Sequence, residues 1–422
     1  MQRRTFITNT GSGIASAATL AMSATAVAQS APATAKPDQR MARKVRFDDP
    51  NMDLFFMAAM SWGPTGGLDI GQAQYVASTI VDGDADSWVR AFSAYGETLN
   101  AQADSWRQRG WTRQAGEVRL KAFASYRSAW QFAEPGPAFA AIYAKHRAAF
   151  GAAMNELALP ATFFNVPFAA KQLPGVFLRS ATKDAPVVLV IGGADTCHED
   201  LFLTVGRTFF ERGYSVALVD LPGQGITQAQ GLYWQAEAEK PIAAVIDLLV
   251  ERFDARPGRI ALLGLSLGGY FAARAAGHEK RLATVMASTP FPDPAQLFEL
   301  SVKHALASGA GTGTMTQAAL RSYQSTFWKT GSTTPQEFVA NTATMKADAS
   351  KVTLPFLSIL GAGDSAVFAS QARAWDRDIR SARKSFVLLD AASGADGHVQ
   401  VNNRLRLAQE CLGWMGDVFS MS

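Results

Sequence analysis

The sequence predicts an α/β protein in which a mostly parallel sheet carries helices on both faces and follows a region made of helices alone. Three observations carry this. Short β-branched apolar runs at 187–191, 215–219, 260–263 and 284–287 alternate with helical stretches at 201–212, 241–253 and 267–276, as right-handed crossovers between parallel strands require. The run 259–270, Arg-Ile-Ala-Leu-Leu-Gly-Leu-Ser-Leu-Gly-Gly-Tyr, passes from a buried strand into a helix through a glycine-rich turn. Between residues 51 and 157 the apolar spacing is helical and no strand alternation occurs.

The chain of 422 residues suits one large domain with additions, or two domains. Apolar residues make up 48% and charged residues only 18%, which gives a folded protein enough material for a large core. Lys and Arg number 40 against 36 Asp and Glu, and Arg3 and Arg4 at the N-terminus account for half of the excess. What remains is near neutral and has no basic cluster, so neither nucleic acid nor a membrane surface is expected as a partner.

The elements follow in order. Arg3 and Arg4 precede a weakly apolar run over 11–27, rich in Ala, Ser and Thr, that closes on Ala26-Val27-Ala28. Arginine pair, modest apolar core and small-residue site predict a twin-arginine export signal over 1–28 and a periplasmic mature protein. No later segment offers about 18 uninterrupted apolar residues, so no membrane insertion is expected once the signal is removed. Residues 29–50, with Pro32 and Pro37, predict a mobile linker.

A helical cap domain is predicted over 51–160. Trp88, Phe92, Tyr95 and Leu99 share one helix face behind Asp86 or Ser87 as the cap, and helices over 113–132 and 138–157 follow. The α/β part is predicted over 161–422. An excursion at about 290–350 interrupts it, strands over 351–360 and 386–389 resume it, and a helix over 404–418 closes it. Cys197 and Cys411 are the only cysteines, and we read them as unpaired thiols. Without paired Cys or His spacing no metal is expected.

The chemistry begins at Gly264-Leu265-Ser266-Leu267-Gly268, a G-x-S-x-G that reads as a nucleophile elbow: a turn tight enough to push Ser266 out to substrate. A serine hydroxyl needs a base to take its proton and an acid to orient that base. On this fold both follow the serine, each just past a strand. Asp364 ends the glycine-flanked loop after the strand at 351–360, with Asp390 and Asp396 as competitors, and His398 lies in the loop after 386–389. His278 and His304 also follow Ser266, at a helix end and in the excursion, where surface or capping roles suit them. The backbone N–H of Leu267 and that of Gly193 or Ala194, after the strand at 187–191, are the expected oxyanion donors. The alternative is that the glycine pair Gly192-Gly193 only closes a turn. No Gly-Lys-Ser or Gly-Lys-Thr follows it, so nucleotide binding is unsupported.

Three motifs, Gly192-Gly193-Ala194-Asp195-Thr196-Cys197-His198-Glu199-Asp200, Asp220-Leu221-Pro222-Gly223-Gln224-Gly225 and Leu265-Ser266-Leu267-Gly268-Gly269, resemble the α/β-hydrolases that include bacterial 2,6-dihydroxypseudooxynicotine hydrolase and fungal polyketide-shortening hydrolases. The stretch 110–130 is similar to the helical segment which those proteins place over the active site. The resemblance implies an α/β-hydrolase fold and a triad of Ser266, Asp364 and His398. It also implies attack on esters or on carbon-carbon bonds next to ketones. His198 stands where a lysine is usual and is a candidate to touch substrate, the alternative being a surface residue at a helix N-terminus. The family's additional polar active-site residue falls among Asp293, Gln296 and Glu299, with Glu299 taken as the substrate-binding candidate.

The function expected is that of an exported serine hydrolase. It attacks a carbonyl carbon of a small apolar or aromatic molecule through an acyl-enzyme, with no cofactor. The helical region and the excursion are expected to wall a mostly apolar pocket. Homodimerisation is left open. The alternatives are a peptidase-like hydrolase and a non-catalytic binding protein on the same fold.

Overall fold

The computed structural model describes residues 36–307 and 315–420. The predicted leader, the first residues of the predicted linker and the glycine-rich piece at 309–313 lie outside them.

Helix α1 (Pro50–Ser61) starts where the Asp49 side chain accepts from the backbone N–H of Asn51 and Met52, with Pro50 in the first turn where no donor is needed. After α2 (Ile70–Ala77), α3 (Ala85–Gln108) is capped by Asp84, which accepts from Ser87 N. That corrects the expected cap at Asp86 or Ser87. Trp88, Phe92 and Leu99 face inward as their spacing predicts. Helix α4 (Thr112–Trp130) is enclosed on nearly every side beyond Val118. It packs so tightly on α3 that a Cβ added at Gly96 would come within 2.7 Å of the Tyr126 ring. Helix α5 (Pro137–Glu156) completes this region.

Eight strands then form one sheet: β1 (Ala161–Phe168), β2 (Lys171–Leu178), β3 (Val187–Ile191), β4 (Ser215–Val219), β5 (Ile260–Leu265), β6 (Leu282–Ser288), β7 (Phe356–Gly361) and β8 (Lys384–Leu389). Their order is β1-β2-β4-β3-β5-β6-β7-β8, antiparallel from β1 to β4 and parallel from there on. The antiparallel β1–β2 hairpin was not anticipated.

Alternate side chains of β3 feed two cores, Val188 and Val190 one, Val187, Leu189 and Ile191 the other. The first core joins the sheet to α1–α5 and to the closing helix, so the N-terminal helices share a core with the sheet. On the other face lie α8 (Glu239–Phe253), α9 (Leu267–His278) and α13 (Ala366–Asp378). Between β3 and β4 the chain forms α6 (His198–Leu201), one π turn (Phe202–Gly206) and α7 (Arg207–Glu211), where a single helix was expected. The excursion folds as α10 (Pro294–Ala307), α11 (Gln317–Thr330) and α12 (Pro335–Thr342), and α14 (Arg404–Ser420) closes the chain.

Residues 36–49 are tethered where a mobile linker was expected. Ser365 N donates to Gln39 O, His398 N donates to Arg40 O, and Phe47 is buried in the core. Among the described residues no helix is long and apolar enough to cross a membrane.

Candidate active site

Ser266 stands between β5 and α9 with φ 55° and ψ −119°, a backbone that a non-glycine residue adopts only when its surroundings impose it. The glycines around it are required by close approach. A Cβ at Gly264 would lie 1.9 Å from Gly268 O, and one at Gly268 would lie 2.5 Å from Gly192 O. Leu267 opens α9, so its N–H has no acceptor inside the helix.

His398 Nε2 lies 2.8 Å from Ser266 Oγ and its Nδ1 lies 2.6 Å from Asp364 Oδ1. The Asp364 side chain is fully enclosed, and its Oδ2 accepts from Thr289 Oγ1 at 2.8 Å. The loops carrying acid and base touch, since Gly363 N donates to Asp396 O. The competing carboxylates have other work: Asp390 caps a short turn, and Asp396 accepts from Asn402 Nδ2. His278 hydrogen-bonds to Arg274 O at an exposed helix end.

Gly193 lies against the serine, where an added Cβ would come 2.7 Å from Ser266 Cβ and 3.3 Å from its Oγ. Gln224 Nε2 donates to both Gly192 O and Gly193 O, at 2.5 and 2.9 Å. Trans peptides then turn the N–H groups of Gly193 and Ala194 away from Gln224. Together these groups can pass a proton from a hydroxyl to an imidazole that a buried carboxylate orients and stabilises, beside backbone N–H donors. Gln224 was not singled out as a site residue, although the Asp220–Gly225 motif contains it.

Ser266, His398, Gly193 and Ala194 line a cavity of about 80 Å³. Leu54, Phe55, Ala58 and Trp62 supply one apolar wall, and Leu265, Val399 and Val401 supply more. The cavity is mostly apolar, as expected, but Arg40, Arg127, Arg404, Asp195 and Asp200 also line it. Arg127 is paired with Asp200, donates to Asp195 O and stacks 3.8 Å over Trp130. Burial alone would raise the Asp195 carboxyl, but Lys329 and Arg40 hold it below its ordinary value. None of these charged residues was foreseen as part of the site.

Two expectations about substrate contact are corrected. Glu299 is exposed on α10 and paired with Lys303, and no described residue of the excursion lines the cavity. Asp293 and Gln296 are likewise outside it, both bonded to Gln371. His198 neither lines the cavity nor lies at the surface. It is fully enclosed, its Nδ1 2.7 Å from Asp220 Oδ2 and its Nε2 3.3 Å from Glu199 Oε1. Burial would lower this imidazole, but Glu199 and Asp220 outweigh it and hold the pKa above its ordinary value.

Next to this cluster His146, Cys197 and Glu199 come close enough to suggest a metal. Burial drives His146 down to about 3, so the ring is neutral. Its Nδ1 accepts from Trp130 Nε1 at 2.8 Å, which places the proton on Nε2, the atom that would have to bind. In the other cluster His198 is engaged by its two carboxylates. Cys197 and Cys411 are both buried free thiols.

Comparison with known proteins agrees with the fold. The Hydrolase_4 family, described as serine aminopeptidase S33, matches residues 181–393. The chain is 29% identical over 300 residues to the hydrolyase poxO of Penicillium oxalicum, covering 65% of this chain and 71% of that protein. It is 28% identical over 260 residues to the 20-hydroxy-prefusarin hydrolase FUS2 of Gibberella moniliformis, covering 58% and 61%. Among solved structures 2,6-dihydroxy-pseudo-oxynicotine hydrolase has the same fold, with a TM-score of 0.68 at 18% identity over 86% of this chain and 96% of that one. With strand order, elbow and family match in agreement, the chain belongs to the Hydrolase_4 family of α/β-hydrolases.

Proposed function

We propose that this chain is a serine-dependent hydrolase that attacks a carbonyl carbon of a small molecule and passes through an acyl-enzyme. The observation that carries the reading is the relay from Ser266 Oγ through His398 to Asp364, with steps of 2.8 and 2.6 Å, beside Gly193 and Ala194 in one cavity. Ser266 Oγ bonds to the carbonyl carbon while its proton passes to His398 Nε2, and Asp364 stabilises the imidazolium. The N–H groups of Leu267 and of Gly193 or Ala194 hold the oxyanion. Collapse expels an alkoxide from an ester, or an enolate from a 1,3-dicarbonyl compound, and the imidazolium returns the proton to it. Water, activated by the same histidine, releases the acyl group.

A peptidase reading has the family description in its favour. The cavity speaks against a substrate with a free amino terminus. Asp195 is already paired with Lys329 and Arg40, and Asp200 Oδ2 with Arg127, so an ammonium group would have to compete with cations already in place. Turnover of p-nitrophenyl esters and β-diketones against aminoacyl anilides separates the three chemistries, and anilides as the fastest class would overturn the ester and carbon-carbon readings. We further propose export to the periplasm by the twin-arginine route, on the order of features in residues 1–28. Periplasmic accumulation unchanged in the R3K/R4K double variant would contradict it.

A further inference from the structure

Arg404 is a buried cation of the cavity that forms no ion pair among the described residues, although Asp200 lies near enough to favour its charge. It stands at the start of α14, 8% exposed, and lines the same space as Ser266 and His398. Among the described residues no carboxylate lies within 4 Å of its guanidinium. Its contacts are long: Nε to Ser61 Oγ at 3.3 Å and Nη1 to Val399 O at 3.4 Å, while Nη2 donates to no described protein atom. The neighbouring charges are already matched. Asp200 Oδ2 takes Arg127, and Asp195 takes Lys329 at 2.8 Å and Arg40 at 3.8 Å. Around the cavity Arg40, Arg127, Arg404 and Lys329 therefore outnumber Asp195 and Asp200 by two positive charges. A guanidinium largely withdrawn from water and held only by long contacts to neutral acceptors costs free energy that a matching anion restores. Burial depresses Arg404 to about 10, which still leaves it charged near neutral pH.

We infer that Arg404 is a substrate-recognition residue which receives an anionic oxygen, a carboxylate or the enolate of a 1,3-dicarbonyl compound, in the cavity that holds Ser266. The inference rests on the hydrolase reading for its setting. It adds to that reading a substrate class with one charged end, between apolar walls formed by Leu54, Phe55, Trp62 and Val401. Asp200 Oδ1, buried and without a hydrogen-bond partner among the described residues, offers an acceptor to a hydroxyl on the same substrate.

The test compares mono-p-nitrophenyl glutarate, which carries a carboxylate, with the neutral p-nitrophenyl pentanoate, on wild type, Arg404→Met and Arg404→Lys. Arg404→Met is expected to lose about 30-fold in kcat/KM on the charged ester, mostly through KM, and less than about threefold on the neutral one. Arg404→Lys should recover part of the loss. A merely structural role, through Ser61 and Val399, lowers both esters alike and would overturn the inference, as would a wild type without preference for the charged ester. Binding is read apart from turnover by calorimetric titration of Ser266→Ala, and of Ser266→Ala with Arg404→Met, using monomethyl glutarate and dimedone. Weaker binding on loss of Arg404 supports the inference, and the ligand with the larger loss tells carboxylate from enolate. Binding of both ligands unchanged by the loss of Arg404 overturns it. Absent fluorophosphonate labelling of the wild type, by contrast, counts against the hydrolase reading alone.

Discussion

Replacing Asp364 by Asn changes the relay at the point where its geometry is tightest. Asp364 Oδ1 lies 2.6 Å from His398 Nδ1, and Oδ2 accepts from Thr289 Oγ1 at 2.8 Å. An amide fills the same space. If its Nδ2 faces the ring, His398 Nδ1 must accept, the proton moves to Nε2, and that atom can no longer take the proton of Ser266. If its oxygen faces the ring, the bond survives without the charge that stabilises the imidazolium. Either way kcat is expected to fall about 10⁴-fold, or roughly 5.5 kcal/mol of transition-state stabilisation. KM should change little, because Asp364 does not line the cavity. The assay is steady-state turnover of a p-nitrophenyl ester together with the rate of fluorophosphonate labelling, both of which depend on activating Ser266. A loss smaller than about tenfold in both, in a variant that melts like the wild type, would refute the assignment of Asp364 as the acid.

Other outcomes follow from the same geometry. Gly193→Ala places a Cβ 2.7 Å from Ser266 Cβ, so kcat should drop by about 10²-fold or more, and activity within threefold would contradict a glycine loop pressed against the nucleophile. Arg127→Met leaves Asp200 buried without its cation and should cost about 3–5 kcal/mol in urea unfolding, with partial recovery in the R127M/D200N double variant. His198 has a raised pKa in the folded state, so its contribution to stability is complete below about pH 6.5 and is lost as pH rises through the raised value. In His198→Lys the charge persists, and melting temperatures recorded from about pH 6 to about pH 9 should diverge from wild type on the alkaline side; parallel curves would show that His198 is not the titrating group.

The sequence made the chain of consequence from Ser266 to His398 readable because each step leaves a local mark: glycines around a strand-helix turn, an aspartate and a histidine each just past a strand. The fold was readable where the strands are short β-branched runs between helices. It was not readable at β1–β2, whose two-residue turn is Ala169-Ala170 with φ of 49° and 58°. Asn-Gly in that turn would have announced a hairpin, and Pro167 and Pro174 inside the strands further hide it. The charged lining of the cavity was hidden for another reason. Arg40, Arg127 and Arg404 come from a terminal segment, a cap helix and the last helix, so only tertiary packing brings them together. Glu299 fails as a substrate contact because α10 turns it to solvent, and His198 fails because it opens α6 enclosed against Asp220 and Glu199.

The most direct measurement is intact-protein and peptide mass spectrometry after exposure to a fluorophosphonate. One adduct per chain on the peptide containing Ser266, absent in Ser266→Ala and slowed in His398→Ala, is the predicted result. Labelling that persists in Ser266→Ala, or a wild type that stays unlabelled while folded, would contradict Ser266 as the nucleophile and the hydrolase reading with it.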